Sequence, residues 1–245
     1  VRVPRISNFT DFAALPRVPG VGLRYADRPE QMEGADLILL PGTKSTMSDL
    51  KWLRESGLEA QILKQHAAGT PVFGVCGGYQ MMGRSISDPD NSEGGGSIRG
   101  MGLLPTETVF RAEKTTVQAH GTLLEIGGDL AALSGAQTVG YEIHMGETTL
   151  LDGAKPMQRL TRGKETVLDG CQYENAYGSY LHGIFDAQQV LEKLVQALAD
   201  KKGVTLDAKA FDMRRYKEEQ YDKLADVVRS ALDMEEIYSI LEGER

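Results

Sequence analysis

The tightest constraint in this sequence is seven residues long. Gly74-Val75-Cys76-Gly77-Gly78-Tyr79-Gln80 follows a short apolar run, Pro71-Val72-Phe73, and leads into Met81-Met82. The run reads as a buried strand and the residues after the glycines can open a helix. A glycine-x-cysteine-x-glycine turn between a strand and a helix is the cysteine form of a nucleophile elbow. Glycine on both sides lets the backbone turn sharply enough to lift a side chain above a sheet. The positive end of the helix that starts there favours a thiolate over a thiol, whose ordinary pKa is ~8.5. Most free cysteines are buried and inert. A strand that only packs has no use for Gly74, Gly77 and Gly78 in so short a span.

Around the elbow the pattern is that of an α/β fold with a mainly parallel sheet flanked by helices. Val1–Ile6 reads as a first strand, with Pro4 placing it at an edge. Residues 11–15 read as a short helix and Val21–Tyr25 as a second strand. Asp36–Leu40 is a continuous apolar run that delivers the loop Pro41-Gly42-Thr43-Lys44-Ser45-Thr46. This loop imitates the tail of a phosphate-binding loop, but the spacing fails, because Thr43 and Ile38 stand where glycines are required. Loops at the carboxyl ends of neighbouring parallel strands converge on a site, so the backbone near Gly42 can face Cys76. On residues alone, a plain strand-to-helix turn is an equal reading of that loop.

Ser45 or Thr46 can cap a helix carrying Leu50 and Leu53, and Gly57 separates it from one carrying Leu58 and Ile62. Residues 88–100 are polar and glycine-rich, a mobile surface loop by composition. From about 103 to 175 short β-like runs alternate with turns, an antiparallel region added to the parallel core. Val190, Leu191, Leu194, Val195 and Leu198 recur at helical spacing until Gly203. A final helical stripe runs from Tyr221 to Leu241. The whole of 1–245 is expected to form a single domain.

A net charge of −8 argues against nucleic acid or an anionic membrane as partner. No apolar run approaches the ~18 residues of a membrane span. Two cysteines, Cys76 and Cys171, give no disulfide framework and suit a reducing, cytoplasmic setting. The absence of an initiator methionine reads as a piece of something longer or a processed product.

A cysteine nucleophile needs a base. His66 falls near a helix end among alanines, and His120 lies at a turn–strand junction. His144 ends an apolar strand between Glu142 and Glu147, in a stretch that can shape a pocket wall or meet a partner. His182 follows a short strand and precedes a helix, where parallel sheets present functional residues, and it is the best placed of the four. Cys171, after Leu168-Asp169-Gly170, reads as a bystander in a turn.

Four segments, 39–46, 74–80, 140–148 and 178–186, resemble class I glutamine amidotransferases. Within that class they are similar to the C-terminal glutaminase domains of cobyric acid synthases, as is the opening stretch 2–12. The resemblance implies a flavodoxin-like fold and L-glutamine as substrate. In it Cys76 is the nucleophile and His182 the base, the backbone N–H groups of Gly42 and Gly77 form the oxyanion hole, and Gln80 lies beside the bound glutamine. It implies no metal or cofactor in this domain. ATP and Mg are expected in a synthetase domain or subunit that amidates corrinoid carboxylates. Many class I members place a glutamate two residues after the histidine; here that position is Ile184. Asp186 is the nearest carboxylate in sequence, and the resemblance implies a cysteine–histidine dyad with weak activity in isolation. A cobyrinic acid a,c-diamide synthase, a glutaminase for peptidoglycan lipid amidation and a non-catalytic binding domain of the same fold are the alternatives.

Overall fold

Ile38-Leu39-Leu40 is too short for a helix and apolar throughout, and it forms strand β1 (Ile38–Leu40), buried along its length. The loop after it leads to helix α1 (Thr46–Glu55), which buries Leu50 and Leu53 one turn apart. Gly57 takes a φ of 78° before helix α2 (Leu58–Ala67), which buries Leu58 and Ile62. Each such fully buried aliphatic side chain contributes roughly 1.5–3 kcal/mol. Strand β2 (Val72–Val75) and the short helix α3 (Gly77–Met82) follow, buried throughout. The computed structural model describes residues 1–206 and 213–243.

The chain then leaves for a second sheet. Its strands are β3 (Ser85–Asp88), β4 (Gly96–Arg99), β5 (Thr106–Leu123), β6 (Gln137–Leu150), β7 (Gln158–Arg162) and β8 (Glu165–Asp169). It returns through β9 (Cys171–Tyr173) and β10 (Ala176–Ser179), and helix α4 (Gln188–Lys202) ends at Gly203 with a φ of 70°. The first sheet has the order β1-β2-β10-β9 and is parallel except at β9. The second runs β4-β3-β5-β7-β8, with β6 also paired to β5. An α/β core with an antiparallel region is what the residue pattern implied.

The register of the first sheet decides the site. β10 pairs with β2 so that Ser179 lies opposite Val75. The residues that follow each, Cys76 on one strand and Tyr180-Leu181-His182 on the other, therefore leave the sheet at the same end.

Three local expectations are corrected. Val1–Ile6 and Val21–Tyr25 are not ladder strands: Pro4 has no N–H to donate, and the first segment makes only an isolated bridge between Ile6 and Thr43. Residues 9–12 and 15–17 form 3-10 turns rather than an α-helix. Residues 88–100 are not all loop, since they hold the end of β3 and the whole of β4. The buried Asp88 carboxylate accepts the N–H groups of Ser92, Glu93 and Gly95 at 2.7–2.9 Å and closes the β3–β4 hairpin. Burial opposes its charge, but those three donors hold the carboxyl below its ordinary range.

By compactness the chain divides into two units, Val1–Phe211 and Asp212–Arg245. The second contributes helices α5 (Met213–Ala231) and α6 (Met234–Leu241), on which Tyr221, Leu224 and Val228 are exposed. No helix of the described residues is long and apolar enough to cross a membrane.

Helix α3 approaches β1 closer than any side chain allows. A Cβ on Gly78 would stand 2.2 Å from the Leu40 carbonyl oxygen. Backbone cannot yield as a flexible side chain can, so Gly78→Ala should lower stability by about 3 kcal/mol or more. Urea melts of the two proteins check this; equal midpoints would contradict the packing described.

Candidate active site

Cys76 has a φ of 49° and a ψ of −111°, a conformation L-residues avoid at a cost of roughly 1–3 kcal/mol. Two hydrogen bonds hold it there: its N–H to Ser179 O at 2.8 Å, and its carbonyl to Gln80 N–H at 3.0 Å. The strain turns the sulfur out of the sheet toward β6, where it lies 3.7 Å from Ile143 O. Its other neighbour is His182, to which it is coupled by a side-chain hydrogen bond and by charge.

His182 is buried and held from several sides. Its N–H and C=O bridge to Tyr141 of β6 at 2.8 and 3.2 Å, and the Tyr141 ring stacks on the imidazole at 5.3 Å. The Asn8 amide nitrogen lies 3.2–3.3 Å from both ring nitrogens. Nδ1 is 2.7 Å from Asp11 Oδ2, and Asp11 Oδ1 accepts the Gly183 N–H at 3.0 Å. The carboxylate beside the ring is therefore Asp11, not Asp186, and the imidazole is not left unoriented at Ile184. Burial opposes a charged ring, yet the hydrogen bonds and negative charge of Asp11 and Cys76 prevail and raise the His182 pKa to about 10.

The Gly42 loop meets the elbow. A Cβ on Gly77 would lie 2.7 Å from Thr43 Cγ2, and one on Gly42 would lie 3.0 Å from His182 Cε1. Neither Gly42 nor Gly77 donates its N–H to a protein acceptor among the described residues. The loop is fixed by the buried Asp49 carboxylate, which accepts from the Thr43 hydroxyl and the Arg5 N–H. Gln80, one turn beyond Cys76, is buried. Its amide nitrogen donates to Tyr180 OH at 3.1 Å, and its oxygen accepts from Thr46 Oγ1 at 3.2 Å.

The antiparallel region forms a wall of this site. Beyond Tyr141 and Ile143, β6 carries Glu142, whose buried carboxylate is gripped by both Arg162 Nε and Nη2. His144 stacks on Tyr180 at 3.8 Å, with Nδ1 against Gly146 O at 2.9 Å; burial lowers its pKa. It is thus kept neutral, one residue beyond the Ile143 carbonyl that meets the sulfur. His66 ends α2, and His120 is exposed on β5. Cys171 is not in a turn but on β9, fully buried, its thiol pushed up by burial to about 12.

The strain at Cys76 is measurable. Cys76→Gly should be about 1 kcal/mol more stable than Cys76→Ala, because glycine accepts this φ and alanine does not. Chemical denaturation of the pair checks it; a less stable glycine variant would contradict the backbone geometry.

Comparison with known proteins gives the family and the fold. Residues 1–190 match the CobB/CobQ-like glutamine amidotransferase domain family. A cobyric acid synthase from Lachnoclostridium phytofermentans is 47% identical over 99% of this chain, and one from Citrobacter koseri is 47% identical over 100%. In both cases the chain spans about half of the relative, 49% of its length. The solved structure of PurLQS from Thermotoga maritima aligns with a TM-score of 0.57 at 18% identity, covering 80% of this chain and 96% of that one. A further glutamine amidotransferase structure aligns at 0.53 and 20% identity, covering 81% and 96%. At such identity these two speak for the fold alone. The family match and the full-length similarity place the chain in the CobB/CobQ-like glutamine amidotransferase domain family.

Proposed function

We propose that this chain is a glutaminase domain that works through a cysteine thioester, in which Cys76 and His182 act as nucleophile and proton carrier. The observation that carries the reading is the strained elbow, which sets the Cys76 thiol against a histidine kept charged. The thiolate attacks the side-chain carboxamide carbon of glutamine. The oxygen takes up negative charge, and the N–H groups of Gly77 and of Gly42 in its loop, which have no protein acceptor among the described residues, receive it. Loss of one such donor typically reduces turnover ~10²–10³-fold. The C–N bond then breaks, and the His182 imidazolium gives its proton to the departing nitrogen, releasing ammonia. The ring, now neutral, takes a proton from water as the water attacks the γ-glutamyl thioester. Glutamate leaves, and the thiolate and imidazolium are restored.

Gln80 fits a place beside the substrate through the surface it shares with Thr46 and Tyr180, its own amide being held by both. Similarity to cobyric acid synthases supports a role for the ammonia in amidating corrinoid carboxylates. The ATP and Mg of that step would be held by the synthetase part of such a protein. A cytoplasmic location fits this chemistry and the free thiols.

Incubation with L-glutamine should yield glutamate, and Cys76→Ala should abolish it; equal rates from the two proteins would refute the reading. The pH dependence follows from His182. Its raised pKa means that the proton donor is present at neutral pH and is lost as the pH rises through about 10. kcat should hold across pH 7–9 and fall above that, and a fall centred near the ordinary histidine value of ~6.5 would contradict the ion pair.

A further inference from the structure

We propose that Asp11 is a positioning residue of this site, holding the His182 ring in one orientation and one tautomer and stabilising its charged form. The inference rests on the glutaminase reading and deepens it by supplying the third member that Ile184 cannot provide.

Three observations carry it. Both carboxylate oxygens of Asp11 are used at the histidine: Oδ2 faces Nδ1 at 2.7 Å and Oδ1 takes the N–H of the next residue, Gly183, at 3.0 Å. Two contacts from one rigid group fix the imidazole plane relative to its own backbone. Second, the pair is buried, with 1% of the His182 and 3% of the Asp11 side chain exposed. A buried carboxylate is stabilised only by a charged or hydrogen-bonding partner, so it favours a proton on Nδ1. Third, the carboxylate is itself held in place. Asp11 lies in a 3-10 turn, Phe9–Phe12, launched by Asn8 in the left-handed region, and Phe12 packs on Phe185 with ring centres 5.9 Å apart. The turn that bears the carboxylate is thereby clamped to the segment that bears the histidine.

The other titratable groups facing the pair are Cys76 on the elbow, Tyr141 and His144 on β6, Tyr25 beside Asp11, and Asp186. Among those acting on the His182 ring, Asp11 and Cys76 are the two that raise its pKa. Removing the Asp11 charge should therefore lower it.

Asp11→Asn keeps an oxygen for Gly183 N–H and removes the charge. Its kcat for glutamine hydrolysis should fall ~10²–10⁴-fold, with KM changed less than about threefold. The alkaline limb of kcat should move down from about 10 toward the ordinary histidine value of ~6.5. A second readout needs no glutamine: the rate of Cys76 alkylation by iodoacetamide against pH, with the labelled peptide identified by mass spectrometry. Cys171, buried with its thiol near 12, stays silent in this assay. At pH 7.5 the variant should react several-fold more slowly than the wild type, because its His182, with the limb moved toward the ordinary histidine value of ~6.5, is then mostly uncharged beside the sulfur. A merely structural role would loosen the site and speed labelling at every pH. Superimposable alkylation profiles, with kcat within threefold, overturn the proposal. Should Asp11→Asn not fold, NMR of the wild-type protein at pH 8 decides. Protons on both His182 nitrogens support the proposal, and a neutral ring overturns it. If no glutamine turnover is found, the alkylation and NMR results still judge Asp11, so this inference and the glutaminase reading fail separately.

Discussion

Everything at this site depends on one cysteine held in a backbone conformation that costs roughly 1–3 kcal/mol. Such strain persists only where the surroundings leave no alternative. Here two parallel strands supply the frame. β2 delivers the cysteine, and the end of β10 takes its N–H. α3 then presses on β1 so closely that Gly78 has no room for a side chain. Relaxing the turn would require separating a helix from a fully buried strand, which removes several aliphatic groups from the core at ~1.5 kcal/mol or more each. The thiol stays raised because lowering it is the more expensive change.

The second sheet completes what the first begins. A parallel core alone would leave the sulfur and the imidazole open to water, where charge interactions are weak. β6 lies across them, with Tyr141 against the imidazole and Ile143 O against the thiol. The N-terminal turn closes the other side with Asn8 and Asp11. Charges buried this deeply are tolerated only when paired or hydrogen-bonded, and they are: Asp11 with His182, Glu142 with Arg162, and Asp49 with the Thr43 hydroxyl and the Arg5 N–H. The same pairing that makes the burial possible gives the site a histidine charged at neutral pH.

What could be read from the sequence alone follows from which interactions are local. The elbow, the Gly42 loop and the helices bearing Leu50 and Leu53 are written in short periodic or glycine-marked patterns. The placement of His182 beside Cys76 follows from a general rule about the ends of parallel strands. Asp11 had no such signal. It lies 171 residues from His182, in a segment whose residues look like an ordinary helix start. One trace existed: the segment 2–12 resembles the same family as the elbow does, which is unexplained for a surface turn but expected of one that reaches the site. The role of β6 was equally hidden. Its contacts depend on the register of a long ribbon with an irregularity between Phe110 and Thr115, and no pattern of alternation encodes that.

The most direct test of the central claim is chemical trapping of the nucleophile. The protein is treated with an electrophilic glutamine analogue, such as a γ-diazoketone of glutamate, and the modified residue is located by mass spectrometry. Modification confined to Cys76, suppressed by excess L-glutamine and slowed in His182→Ala, is the predicted result. Labelling of Cys171, or labelling of Cys76 that neither glutamine nor the loss of His182 affects, would contradict it.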